Sequence, residues 1–493
     1  MGARNGKAYL DSLDNMQREI WLDGEKLTQN LSQYPLFSGI AKSMAQLYDM
    51  QHDPLLIDQM TYNSPTTGDR VGMSFLEPKT MEDVAKRRIM MKNWADWSGG
   101  MLGRTPDYKN SELMAWASAA EVFGRKDPRF AENIKRYYEY VRENDLLLTH
   151  ALLAPQVNRS ALAHEQKDQF IAAKVVEKNT KGIVIRGARY LATFPLADEI
   201  IVFPPPPLLE QVNFSVKDIK TAALEAPYMF AFSISVETPG LKFICRESFS
   251  KKSIFDHPLA ARFDEQDAVV VFDDVLVPWD RVFLLEDIEG RHAMYAETDA
   301  RIHMTHQVLI RRVAKTEFLL GVICKVAEMI GIDQFPNVHE KIIKVIMALD
   351  TMKALLVASE ANAKVNRWGV MTPDDEPLAT SRSLYPLLYP QIREIIQQLS
   401  AGGLMALPTE LSMDSAIRED IDKYYQGKNA NSEERIKLFH LCWDIAGSSF
   451  GSRQELYERF FSGDPLKTAT AFYYHYDKAP VIKKVEEFLN RKI

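Results

Sequence analysis

The texture of this chain changes twice, and that order constrains its fold more than any other feature. Up to about residue 150 apolar residues recur at helical spacing. After the capping-box pattern Thr80-Met81-Glu82-Asp83, the positions Val84, Met91, Trp94 and Ala95 mark one face of a helix. Further helices are expected from near Asn110 and over 133–148. Between 183 and 277 stand short runs rich in β-branched and aromatic residues, at 183–190, 199–203, 229–236, 241–246 and 268–277, divided by turn residues. In the third run Phe230, Phe232, Ile234 and Val236 alternate with smaller partners, as one face of a strand does. Beyond Pro278 long amphipathic stretches return, over 301–330, 338–365, 385–399 and 432–446, the last opened by Asn431 and Glu434 at capping-box spacing. The reading is α+β: an N-terminal helical domain (1–151), a middle β domain (152–279) and a C-terminal helical bundle with a tail (280–493). Pro204 to Pro207 give the second strand run a stiff, polyproline-like exit.

Bulk properties exclude several classes. Against 60 Lys and Arg stand 67 Asp and Glu, a net charge of −7, and no basic block interrupts the chain. A polyanion such as nucleic acid is therefore not an expected partner. The longest apolar candidate for a bilayer span, 317–332, is broken by Lys325 and Glu328. The N-terminus is charged from Arg4 and has no signal-peptide core, and Gly6 stands where myristoylation after Gly2 wants Ser or Thr. Cys245, Cys324 and Cys442 are far apart and odd in number, so neither a disulfide framework nor a zinc site is indicated. A reducing cytoplasm is the expected location.

Familiar motifs mislead or are missing. No GxGxxG follows a strand run, so nothing announces a bound nicotinamide cofactor. Gly447-Ser-Ser-Phe-Gly451 satisfies the nucleophile-elbow pattern, but that elbow needs a strand before the serine. Here Ile436, Phe439, Trp443 and Ala446 keep helical spacing up to it. A di-iron site would need paired Glu-x-x-His helices, and Glu289 to His292 is alone and interrupted by Gly290. His303 and His306, one turn apart, read as packing or hydrogen-bonding residues. Two other stretches, 99–108 and 146–159, break helical patterns and bring Arg104, Tyr108 and His150 with them. A cation, a phenol and an imidazole suit the binding and ionisation of a small aromatic hydroxyl compound. By type alone they serve equally well as ordinary loop and core residues.

The wording around those residues resembles the oxygenase component of the two-component, reduced-FAD-dependent 4-hydroxyphenylacetate 3-monooxygenase family. The resemblance runs through GMLGRTPDY (100–108), THALLAPQVNR (149–159), GARYLAT (187–193), RESF (246–249), 257–283, HQVLIRR (306–312), EFLLG (317–321), LPTE (407–410) and 443–465. It implies an acyl-CoA dehydrogenase-like fold, a homotetramer, and FAD delivered reduced by a separate NAD(P)H-dependent reductase. It implies ortho-hydroxylation of a 4-substituted phenol with dioxygen. Carried over residue by residue, Arg104, Tyr108 and His150 would meet the phenol. Gln156, Val157, Asn158, Arg159 and Thr193 would meet the flavin, and Gly447, Ser448, Ser449, Phe450, Gly451 and Arg453 would close over it.

Two departures stand out. Where relatives that act on 4-hydroxyphenylacetate carry small hydroxyl residues after the second strand run, this chain has Pro205 and Pro206, which offer neither a side-chain donor nor an N–H. Another simple phenol or a chlorophenol is the alternative substrate. Also, the 99–104 stretch lacks the clustered cysteines that an iron–sulfur dehydratase of this fold would need. An acyl-CoA dehydrogenase-type oxidoreductase and a flavin-binding paralogue without turnover remain as the other readings.

Overall fold

The computed structural model describes residues 2–155, 157–205, 219–251 and 253–491. Two larger sheets pack face to face between helical layers. One has six strands in the order Glu25–Lys26, Glu19–Leu22, Leu241–Cys245, Ala268–Pro278, Gly182–Thr193, Lys174–Lys178. The other has four, in the order Val282–Leu285, Phe230–Ser235, Glu199–Val202, Leu148–Ala151. Phe232 of the smaller sheet meets Phe272 of the larger edge to face, centroids 6.1 Å apart, at the seam of the core. All five strand runs expected from the sequence are present, with ends shifted by a few residues.

The N-terminal part departs from its helical expectation in several places, among them a two-stranded ribbon of Thr61–Asn63 and Arg70–Gly72. Glu19–Leu22 is a strand, parallel to Leu241–Cys245, with Ile20 and Leu22 buried on alternate positions. The helix expected over 133–148 is Pro128–Asn144. It ends where Asp145 turns left-handed (φ 48), its carboxylate taken by the Arg4 N–H and the Gln51 amide. Leu148–Ala151 then enters the smaller sheet, parallel to Glu199–Val202, with His150 opposite Ile201. Lastly, the helix expected near Asn110 begins at Pro106, where a proline loses no hydrogen bond, so Tyr108 lies in its first turn.

Behind the sheets, Ala300–Ile330, Pro336–Ala361, Asp375–Ser400 and Ser432–Ala446 form the bundle. Asp375–Ser400 runs longer than its expected 385–399 because Asp374 caps it ahead of Pro386 and Pro390. No helix among the described residues is long and apolar enough to cross a membrane. Inside the bundle Glu458 is fully buried among three cations: Arg311 at 2.5 Å, Lys315 at 2.9 Å and Arg312 at 3.6 Å. Burial opposes its ionisation, but those cations overcome it and hold the carboxyl far below the usual range. Removing the only carboxylate of such a cluster strands its cations in a dry core. Glu458→Gln is expected to lower unfolding stability by about 3–5 kcal/mol. A denaturant midpoint equal to wild type would contradict that.

Candidate active site

The site starts with a loop that glycine makes possible. After Met81–Trp97 the chain turns through Gly99 and Gly100, both left-handed, and runs close over the Ser449–Phe460 helix. A Cβ on Gly103 would stand 2.5 Å from the Tyr457 ring. The loop carbonyls are taken from below: Gly100 by Arg311 at 3.1 Å, Met101 by Gln454 at 2.8 Å and Gly103 by Tyr457 at 3.1 Å. This delivers Arg104 to the Glu265–Asp267 turn. Its N–H donates to Glu265 at 2.6 Å and its Nη1 to the Gln266 carbonyl at 2.8 Å, while Nη2 pairs with Asp267. Arg246 and Arg453 reach the same carboxylate at 2.9 and 3.0 Å. Burial works against that charge, but Arg104, Arg453 and Arg246 together hold the Asp267 carboxyl well below the usual range. The Arg104 Nε, buried, has no hydrogen-bond partner among the described residues.

Tyr108 and His150 approach from a helix and a strand. His150 stands edge-on to Phe203, centroids 5.9 Å apart, and Phe203 packs on Trp116 at 5.2 Å. The Lys109 ammonium lies 4.6 Å from the Phe203 ring and 5.0 Å from the Tyr108 ring, and Glu112 holds it at 2.6 Å. Burial, then Lys109, then Arg104 push the His150 imidazole well below its ordinary range, so it is neutral at pH 7. Burial first and Glu112 second push the Tyr108 phenol up, so it stays protonated. The arrangement therefore offers one neutral acceptor and one neutral donor beside a cation. That set can take a proton from a phenol and stabilise the oxygen left behind.

The remaining expected residues fall in three places. Thr193 is buried and its hydroxyl donates to the His150 carbonyl at 3.0 Å. Val157, Asn158 and Arg159 are exposed and leave the sheet just after Leu153 bridges Tyr190; Gln156 lies outside the described residues. Pro205 follows the strand and Pro204 accepts from the Tyr295 hydroxyl at 3.2 Å; Pro206 also lies outside the described residues. Gly447 and Ser448 form the corner between two helices, and Ser449 is exposed. Phe450 is buried. Gly451 packs where a Cβ would meet the Ile445 carbonyl at 2.3 Å. Arg453 is spent on Asp267 and Glu265.

Sequence reasoning missed Lys109, Glu112 and Asp267. A Lys and a Glu three apart on a helix read as a solvated surface pair, and Asp267 reads as one acid among several in a turn. His303 and His306 are buried against Arg87 at 3.2 Å and Glu360 at 2.8 Å. No group of metal-ligating side chains gathers among the described residues.

The His150 shift has a thermodynamic consequence with a definite sign. An unfolded imidazole titrates near 6.5, and the folded one takes its proton only at lower pH. The unfolded state then binds more protons between those values, so His150 contributes stability above about pH 6.5 that is lost as pH falls. Relative to His150→Asn, wild-type stability should drop by up to about 1.4 kcal/mol per pH unit over that window. Denaturation of both proteins from pH 7.5 to 5 reads it, and a constant difference would refute the assignment.

Residues 5–284 match the family model described as 4-hydroxyphenylacetate 3-hydroxylase N terminal, and residues 292–490 match the corresponding C-terminal model. The chain is 44% identical over 492 residues, 100% of its own length and 98% of the relative's, to the 4-hydroxyphenylacetate 3-monooxygenase oxygenase component of Thermus thermophilus. It superposes with a TM-score of 0.92 and 45% identity on a crystal structure of such an oxygenase component complexed with FAD and 4-hydroxyphenylacetate, covering 99% of this chain and 98% of that one. An archaeal 4-hydroxybutyryl-CoA dehydratase from N. maritimus shares the fold alone, with a TM-score of 0.87 at 18% identity over 100% of this chain and 96% of that one. The fold is thus the acyl-CoA dehydrogenase-like one. With both halves of the chain matched in order, it belongs to the 4-hydroxyphenylacetate 3-hydroxylase family.

Proposed function

We propose that this protein is the oxygenase component of a two-component monooxygenase that converts 4-hydroxyphenylacetate, or a closely similar 4-substituted phenol, to its catechol. The observation that carries this is the placement of a neutral His150 and a protonated Tyr108 beside an Arg104 whose Nε has no partner among the described residues. The net reaction consumes the phenol, dioxygen and reduced FAD, and yields catechol, oxidised FAD and water. A separate NAD(P)H-dependent reductase would supply the reduced flavin.

The residues present fit FAD beside this site. The exposed 157–159 backbone and the buried Thr193 hydroxyl lie on the side where His150 leaves its strand, and Arg104 keeps a buried N–H for a ligand. When bound, reduced FAD supplies the electrons and activates dioxygen. The chain's own groups prepare the phenol. His150 accepts its proton, and Tyr108 and Arg104 donate to the oxygen that remains, which makes the neighbouring ring carbon nucleophilic. Phe203 and Trp116 form an apolar wall that excludes water.

Self-assembly belongs to the same reading. The Pro465–His475 and Ala479–Leu489 helices bury no residue within one chain, and Val481, Ile482, Val485 and Phe488 are exposed along the last. An apolar surface of that kind is expected to be covered by further copies in a tetramer of two-fold symmetry. Sedimentation at micromolar concentration checks this, and a monomer would overturn it.

The chemistry is tested by the ratio of catechol to hydrogen peroxide formed per reduced FAD oxidised. His150→Ala should cost hydroxylation about a hundred- to ten-thousandfold while flavin oxidation continues, so the electrons end in peroxide. Arg104→Ala should also weaken phenol binding. A wild-type ratio in His150→Ala at neutral pH would make the imidazole structural and remove it from the mechanism.

A further inference from the structure

The Pro106–Ser118 helix carries an ion pair that the mechanism above does not use. Lys109 and Glu112 are 5% and 3% exposed and bond each other at 2.6 Å. Among the described residues neither side chain is shown with another hydrogen bond. Burying two charges costs several kcal/mol per ion, and a single hydrogen bond does not offset that. Burial accordingly drives both toward their neutral forms, lowering the ammonium and raising the carboxyl against the attraction of the partner. Apolar side chains would fill the same volume at smaller cost, so stability does not account for the pair.

What the pair has is direction. Its cationic end rests on the Phe203 ring at 4.6 Å, the same ring that His150 meets at 5.9 Å. Its anionic end acts on the hydroxyls of Tyr108 and Tyr295, whose ionisation it opposes. The charges that face His150 are Lys109 and Arg104, both positive. Those that face Tyr108 are Lys109, 5.0 Å from its ring, with Glu112, Tyr457, Arg382 and Arg311. Glu112 is the one carboxylate in either group.

We propose that Lys109–Glu112 is an oriented dipole in the wall of the phenol site, and that Lys109 is a positioning residue which biases a bound phenol toward its phenolate. This rests on the reading of Arg104, Tyr108 and His150 as the phenol site. The phenol O–H breaks and its proton passes to His150. With two cations facing it the imidazole does not retain that proton, which it passes on to solvent. The phenolate stays, held by Arg104 in the field of Lys109, while burial and Glu112 keep Tyr108 a donor.

The test uses 4-nitrophenol, whose phenolate absorbs visibly and whose ionisation in water falls near neutral pH. It is titrated on the full-length, FAD-loaded protein and read as a difference spectrum against the same protein without the probe. Bound to wild type, it should hold its proton at least about tenfold less tightly than in water. In Lys109→Met/Glu112→Leu that affinity should return to within about threefold of the value in water, with no loss of unfolding midpoint, because apolar groups replace a buried pair without penalty. If the double variant does not fold, Lys109→Gln/Glu112→Gln keeps a neutral hydrogen-bonded pair and is expected to give the same result. A double variant that ionises the probe as wild type does overturns the proposal and leaves the site reading intact. If wild type does not ionise the probe, and Arg104→Ala does not weaken its binding, the site reading falls and the proposal with it.

Discussion

Three guanidiniums close on the Asp267 carboxylate, and each comes from a different part of the chain. Arg104 arrives on the loop after the Met81–Trp97 helix, Arg246 at the end of a strand, and Arg453 from the Ser449–Phe460 helix. A half-buried carboxylate among guanidiniums is costly unless its charge is matched and its lone pairs are filled, and here both conditions are met. The clasp ties the N-terminal helices, the sheets and the bundle at a single point. It also orients Arg104: with Nη1 and Nη2 each engaged, Nε is a buried donor with no hydrogen-bond partner among the described residues. A planar, forked cation can be held through two nitrogens in a fixed orientation and still present a third, whereas the donors of a lysine rotate about a single point.

The electrostatics of the site follow from that fixed cation and from burial. An imidazole near two positive charges stays neutral, and a phenol near a buried carboxylate keeps its proton. Two titratable groups a few residues apart in space are thus pushed in opposite senses, which is how acid and base roles are assigned at one pH. The apolar wall of Phe203 and Trp116 strengthens each of these effects by keeping water and its screening away. The same dryness suits chemistry in which water would divert dioxygen to peroxide.

Much of this was legible in the residues, for identifiable reasons. The central strands announce themselves because β-branched and aromatic residues alternate over short, turn-bounded runs, as in Phe230–Ser235. Glu19–Leu22 does not, because four residues flanked by charges give no period to count. Leu148–Ala151 continues an apolar run begun in a helix, and periodicity cannot tell strand from buried helix over so few positions. Two prolines hid the first half of Asp375–Ser400. At the site, Arg104, Tyr108 and His150 were found through the wording around them, since as residue types they are commonplace. Lys109, Glu112 and Asp267 were out of reach because nothing local distinguishes a buried charge from a solvated one. Only the sheets and helices that cover them make the difference.

The most direct test of the account is a single turnover in isotopically labelled dioxygen. The protein is mixed with stoichiometric reduced FAD and 4-hydroxyphenylacetate, with no reductase and no nicotinamide present, and the aromatic product is examined by mass spectrometry. The account predicts one labelled oxygen atom on the ring carbon next to the original hydroxyl, in a yield approaching one catechol per flavin. Complete oxidation of the flavin with unlabelled, unchanged 4-hydroxyphenylacetate would contradict it.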